Sequence, residues 1–172
     1  MNKKSVKLYN IIFPIWLLWL IPITWIVVLP ANFIIDLIVI ILTLKYLKVE
    51  NIKKIAKSLI LKVWIFGFLA DFIGTGLMLL SNIINFDHNT PFGEWWNYNI
   101  ANAISLNPYR SIYAVLWVTL SVVITAILIY ILNYKVVLIK TSLEESQKKK
   151  LALSLAIFTA PYTFFIPTLW FY

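Results

Sequence analysis

The chain has 172 residues, of which 62% are apolar, 16% aromatic and only 13% charged, with a net charge of +8. Soluble domains carry about 25% charged residues, so this balance asks for a bilayer as solvent. The absence of cysteine and the single histidine, His88, exclude disulfides, thiol catalysis, iron–sulfur clusters and multi-histidine metal or haem sites.

Apolar runs cover residues 8–44, 59–80, 111–134 and 151–172. About 20 residues at 1.5 Å each cross a hydrocarbon core, so the last three runs suit one helix apiece and the first is too long for one. It contains LPANF, where Pro30 removes a backbone donor and Asn32 favours a turn, so the chain is expected to divide there. The expected fold is an all-α, polytopic integral membrane bundle of about five transmembrane helices in a single domain. The helices are placed at 8–29, 31–47, 51–82, 111–138 and 142–172, with an outer loop at 83–110.

Lysine placement orients it. Lys3, Lys4 and Lys7 precede the first run; Lys45, Lys48, Lys53, Lys54 and Lys57 follow it; Lys135, Lys140, Lys148, Lys149 and Lys150 separate the third and fourth. With a hairpin in the first run, fully spanning or re-entrant, all three clusters fall on the cytoplasmic side and Arg110 faces out. The N-terminus is then cytoplasmic and the C-terminus extracytoplasmic, in a multi-pass protein of the cell membrane. Lysines clustered between apolar runs mark topology and imply no nucleic-acid partner. The N-terminal run has too many prolines and tryptophans for a cleaved signal peptide.

The segment KVENIKKIAKSL sets Val49, Ile52, Ile55 and Leu59 at helical spacing among lysines, with Glu50 four before Lys54: a basic amphipathic lead-in that rests on anionic headgroups. In SLEESQKKK, Ser142 and Glu145 have capping-box spacing, and Glu144 to Lys148 and Glu145 to Lys149 are i,i+4 pairs. In the outer loop Thr90-Pro91 is a helix-start signal, followed by Phe92, Trp96, Ile100 and Ala103, which predicts a short helix along the interface. Asp87, His88 and Glu94 are metal-ligand types in the same loop, but their spacing matches no metal or catalytic motif and they are weak candidates.

Three ionisable residues fall inside apolar runs: Asp36, Lys62 and Asp71. Each carboxylate near mid-membrane costs roughly 2.5–3.5 kcal/mol on insertion scales and calls for a partner or a purpose. Lys62 lies near the inner end of its helix and snorkels. A helix starting after Pro30 sets Asp36 only about 7 Å below the outer turn, within reach of Arg110, and an ion pair between them is expected. Asp71 lies about 16 Å below the outer end of its helix, level with Ser121, Thr159, Pro161 and Tyr162. Gly67, Asp71, Gly74 and Met78 form one stripe, in which Gly67 and Gly74 admit a neighbouring backbone. Asn32, Asp36, Val39 and Thr43 form a second stripe, and Trp117, Ser121 and Thr125 a third.

No enzyme motif and no cofactor site is recognised. The leading expectation is an accessory or scaffold subunit of a membrane complex, packing against a membrane-protein partner or a second copy through its aromatic first and last helices. The alternative is a small proton- or cation-coupled transporter or channel using Asp71, and a distant third is an enzyme acting on lipid headgroups through His88 and Glu94.

Overall fold

A computed structural model describes residues 14, 16–17, 21–84 and 86–171. Among these all regular structure is helical, and three helices are long and apolar enough to cross a membrane: Trp25–Tyr46, Ile52–Ile83 and Ile112–Val137. Residues 8–13, 15 and 18–20 of the predicted first helix, and Lys3, Lys4 and Lys7 before it, lie outside the described residues.

The break expected at Pro30 does not occur. Helix α1 runs from Trp25 to Tyr46 with Pro30 inside it, after a 3-10 turn at Pro22–Thr24. Proline removes one donor, that for the Ile26 carbonyl, whereas a break in apolar surroundings would orphan several backbone groups at once. The predicted helices 8–29 and 31–47 are therefore wrongly divided. A five-residue turn follows, tightened by left-handed conformations at Lys48 and Asn51 (φ 52° and 56°), and leads into α2, Ile52–Ile83.

The outer segment forms short helices as its start signal predicts. The Thr90 hydroxyl accepts from the Gly93 N–H at 3.1 Å and opens α3, Pro91–Trp96. A π-helical turn at Asn97–Ala101 joins it to α4, Asn102–Leu106. Ser111 caps α5, Ile112–Leu132, which continues through a second π turn at Asn133–Val137.

Helix α6 spans only Glu145–Phe158. Its capping box is Glu144 with Gln147, not Ser142 with Glu145, because the helix starts two residues later than the predicted cap allows. Glu50 and Lys54 form no ion pair, Glu50 lying before the first turn of α2; among the described residues the only salt bridge is Lys148 to Glu145 at 4.0 Å. The helix expected over 142–172 stops before Pro161 and gives way to 3-10 turns at Tyr162–Phe165 and Thr168–Phe171 with Pro167 between them. Fourteen residues reach about 21 Å, short of a hydrocarbon core of about 30 Å.

Each long helix packs on two others: α2 against α1 and α5, and α6 against α1 and α5. With short turns joining α1 to α2 and α5 to α6, this is a closed up-down-up-down ring. One end carries both internal lysine clusters; the other carries the α3–α4 segment. Ile40, Leu44, Leu59, Val63, Leu151 and Leu155 fill the basic end. Met78, Ile104, Val118 and Phe164, with Trp16, fill the other. The outward faces are also apolar, with Ile26, Ile34, Ile38, Leu61, Ile65, Leu116 and Leu120 exposed, a pattern that suits lipid and not water.

Tryptophans tie the helices together. The Trp64 indole donates to the Leu29 carbonyl at 2.9 Å and Trp117 to Leu77 at 3.1 Å. Trp96 reaches Ser81 at 3.2 Å and Trp16 reaches Ile104 at 3.3 Å. An indole has one donor and no acceptor, so each locks one inter-element register.

Candidate functional site

Where the two apolar clusters meet, the interior turns polar. Thr75, Ser121 and Thr125 are buried, and each hydroxyl donates to a carbonyl one turn earlier on its own helix: Thr75 to Asp71, Ser121 to Trp117 and Thr125 to Ser121. Such back-bonding lets a hydroxyl be buried without an inter-helix partner. The Ser121 proton is thus spent on its own helix, and Ser121 is not among the residues that line the cavity bordered by Asp71.

Asp36 of α1 and Asp71 of α2 are 5% and 4% exposed. Side chains lean toward the N-terminus of their helix, so on this antiparallel pair the two acids lean toward each other. They share a cavity of about 230 Å³, lined also by Asn32, Gly67 and the broken end of α6 from Thr159 to Thr163. Gly67 leaves the room: a Cβ there would stand 3.7 Å from Asp36 Oδ2. Among the described residues no lysine, arginine or histidine lines this cavity, and Asp71 Oδ1 finds no hydrogen-bond partner there.

The third wall follows from Pro161. Its missing N–H would have served the Ile157 carbonyl; the Tyr162 phenol donates there instead at 2.7 Å. The Thr159 hydroxyl donates to the Leu155 carbonyl at 2.8 Å. Both hydroxyls thus give their protons to the helix and keep only lone pairs, and an oxygen with lone pairs alone suits a cation better than an anion. Thr159, Tyr162 and Asp71 line the same cavity.

Two expected groupings do not form. Arg110 lies in a 3-10 turn before α5 with its guanidinium 5.8 Å over the Tyr98 ring, and it makes no ion pair with Asp36. The expectation failed because a helix starting at Trp25 instead of Ala31 carries Asp36 far deeper. Asp87, His88 and Glu94 do not converge, and among the described residues no three such side chains do. Asp87 Oδ1 instead accepts from the Asn89 backbone and side-chain amides at 2.9 and 3.0 Å, while His88 and Glu94 border a shallow groove beside Trp95 and Tyr98.

The pairing of Asp36 with Asp71 and the place of Asn32 beside them were not anticipated, although Asn32 and Asp36 share a stripe by spacing. Comparison of the chain with protein-family models, with curated proteins and with solved structures gives no match.

Proposed function

We propose that this chain is a polytopic membrane protein that takes up a proton or a small metal cation between Asp36 and Asp71 and passes it across the bilayer, alone or coupled to a solute. The single observation that carries this reading is the buried pair of acids on one cavity, with no cationic side chain beside them among the described residues and one oxygen left without a partner there. Two bare carboxylates buried together cost too much to stand unneutralised, so the site needs positive charge beyond what the described residues bring to it. A broken helix whose acceptor atoms border an acidic cavity is a recurrent way to hold a cation within a bilayer. The five-crossing arrangement with the lysines inside, in the cell membrane, belongs to the same proposal, as does the absence of enzymatic chemistry.

The test is reconstitution into liposomes with an internal pH dye and imposed proton, sodium or potassium gradients. Asp71→Asn and Asp36→Asn keep shape and remove the ionisable oxygen, and each is expected to bring gradient-driven flux to the level of empty vesicles. Flux unchanged in both variants, or none from the unaltered chain under any of the gradients, overturns the proposal. In the latter case the accessory-subunit reading gains, supported by the exposed Phe158 and Trp170 along the last segment; purification in mild detergent would then bring down a stoichiometric membrane partner.

A further inference from the structure

The opposite end of the bundle holds a second cavity of different chemistry. The α1–α2 turn, the first turns of α2 and the connection before α6 enclose an open cleft of about 860 Å³. Lys54, Ser58 and Lys62 enter it from α2 at i, i+4 and i+8, one above another on a single face. Lys48 enters from the turn, and Lys140 and Ser142 from the far wall.

The cations are available. Among the described residues none of these four lysines is ion-paired. Two carboxylates border the cleft, and one of them, that of Glu144, is engaged in the capping box of α6. The first turn of α2 has no acidic residue and no side-chain cap, so the free N–H groups of a 32-residue helix add to the positive potential. On α2 the exposed Leu61 and Ile65 lie three residues beyond Ser58 and Lys62, on the same side of the helix.

We infer that this cleft is a binding site for the phosphate headgroup of an anionic phospholipid, with the acyl chains along Leu61 and Ile65. A phosphate diester matches lysines converging from three directions with hydroxyls between them. The lysine stripe climbing from the turn to Lys62, beside an apolar face, fits a ligand that is charged at one end and greasy at the other, which a soluble phosphate is not. This goes beyond the diffuse attraction of a basic surface to a charged leaflet, because it fixes one lipid to named residues, and it does not depend on the acid pair.

Native mass spectrometry of the purified full chain in mild detergent, titrated separately with phosphatidylglycerol, phosphatidylcholine and inorganic phosphate, tests it. One phosphatidylglycerol per chain is expected, bound about 10-fold or more tighter than phosphatidylcholine. Lys54→Gln/Lys62→Gln/Lys140→Gln should erase that preference, while Lys53→Gln/Lys149→Gln/Lys150→Gln, which removes the same charge outside the cleft, should keep it. If the first triple variant does not fold, Lys140→Gln on the connection should still lose part of the preference. Equal binding of the two lipids, or equal loss in both triple variants, overturns the inference. So does inorganic phosphate that occupies the cleft as tightly as the lipid and displaces it, which would make the site one for a soluble anion.

Discussion

Gly67 and Gly74 sit seven residues apart on one face of α2 and meet different neighbours. A Cβ at Gly74 would come within 2.2 Å of Thr125 Oγ1 and 3.2 Å of the Phe164 ring, whereas one at Gly67 would find Asp36 Oδ2 at an ordinary 3.7 Å. Gly74→Ala is therefore expected to cost about 1–3 kcal/mol as overpacking, read as a lower melting temperature in detergent. Adding Thr125→Ala should recover part of that loss. Gly67→Ala should melt near the unaltered chain, yet lower cation flux, because its methyl group enters the acid cavity. If Gly74→Ala melts unchanged, α2 and α5 do not approach as closely as described. The glycine stripe itself was legible from spacing, since a helix repeats its face every three or four residues. What spacing left open was the partner of each face, because the depth of Asp36 depends on where its helix begins and a single proline was given the wrong weight.

Two prolines illustrate that at the level of elements. Pro30 lies inside α1 and the helix runs through it; Pro161 lies just past α6 and the helix ends before it. The difference is context. At Pro30 the partly buried Val28 and Phe33 pack inward on either side, and the Trp64 indole secures the adjacent Leu29 carbonyl. At Pro161 a second proline follows at Pro167, and 3-10 turns take over. Because the Tyr162 phenol stands in for the missing donor to the Ile157 carbonyl, Tyr162→Phe should destabilise by about 1 kcal/mol. Pro161→Ala restores a backbone N–H at the same carbonyl, so in the double variant the cost of losing the phenol should largely vanish. Thermal melts of the four proteins in one detergent measure this coupling. Additive effects would mean that the phenol and the backbone do not compete for the same acceptor. Pro161→Ala alone should also reduce flux, since a continuous α6 withdraws its acceptors from the cavity.

For the whole molecule the separation of charge between the two ends is the organising feature. Four helices in an up-down-up-down ring put both internal lysine clusters at one end and Arg110 with the aromatic α3–α4 segment at the other. The gathering of both internal lysine clusters at one end was readable from the sequence, because apolar length and lysine placement are coarse, additive signals, whereas the ring of four helices was not. The convergence of the last segment on the acids was only partly readable, since it depends on a helix break whose position is set by packing. The native chain has no cysteine, so one introduced thiol reports its own side of the membrane. Asn89→Cys lies just before α3 at the aromatic end, and Ser142→Cys lies in the α5–α6 connection at the basic end; both positions are exposed. A membrane-impermeant maleimide on intact cells should label the first alone, and both after permeabilisation, as the placement of lysines on the cytoplasmic side requires. Labelling of Ser142→Cys alone would invert the orientation and leave the bundle intact. Labelling of both in intact cells would mean that α5 does not cross the bilayer, and a cation held between Asp36 and Asp71 would then have no path from one side to the other.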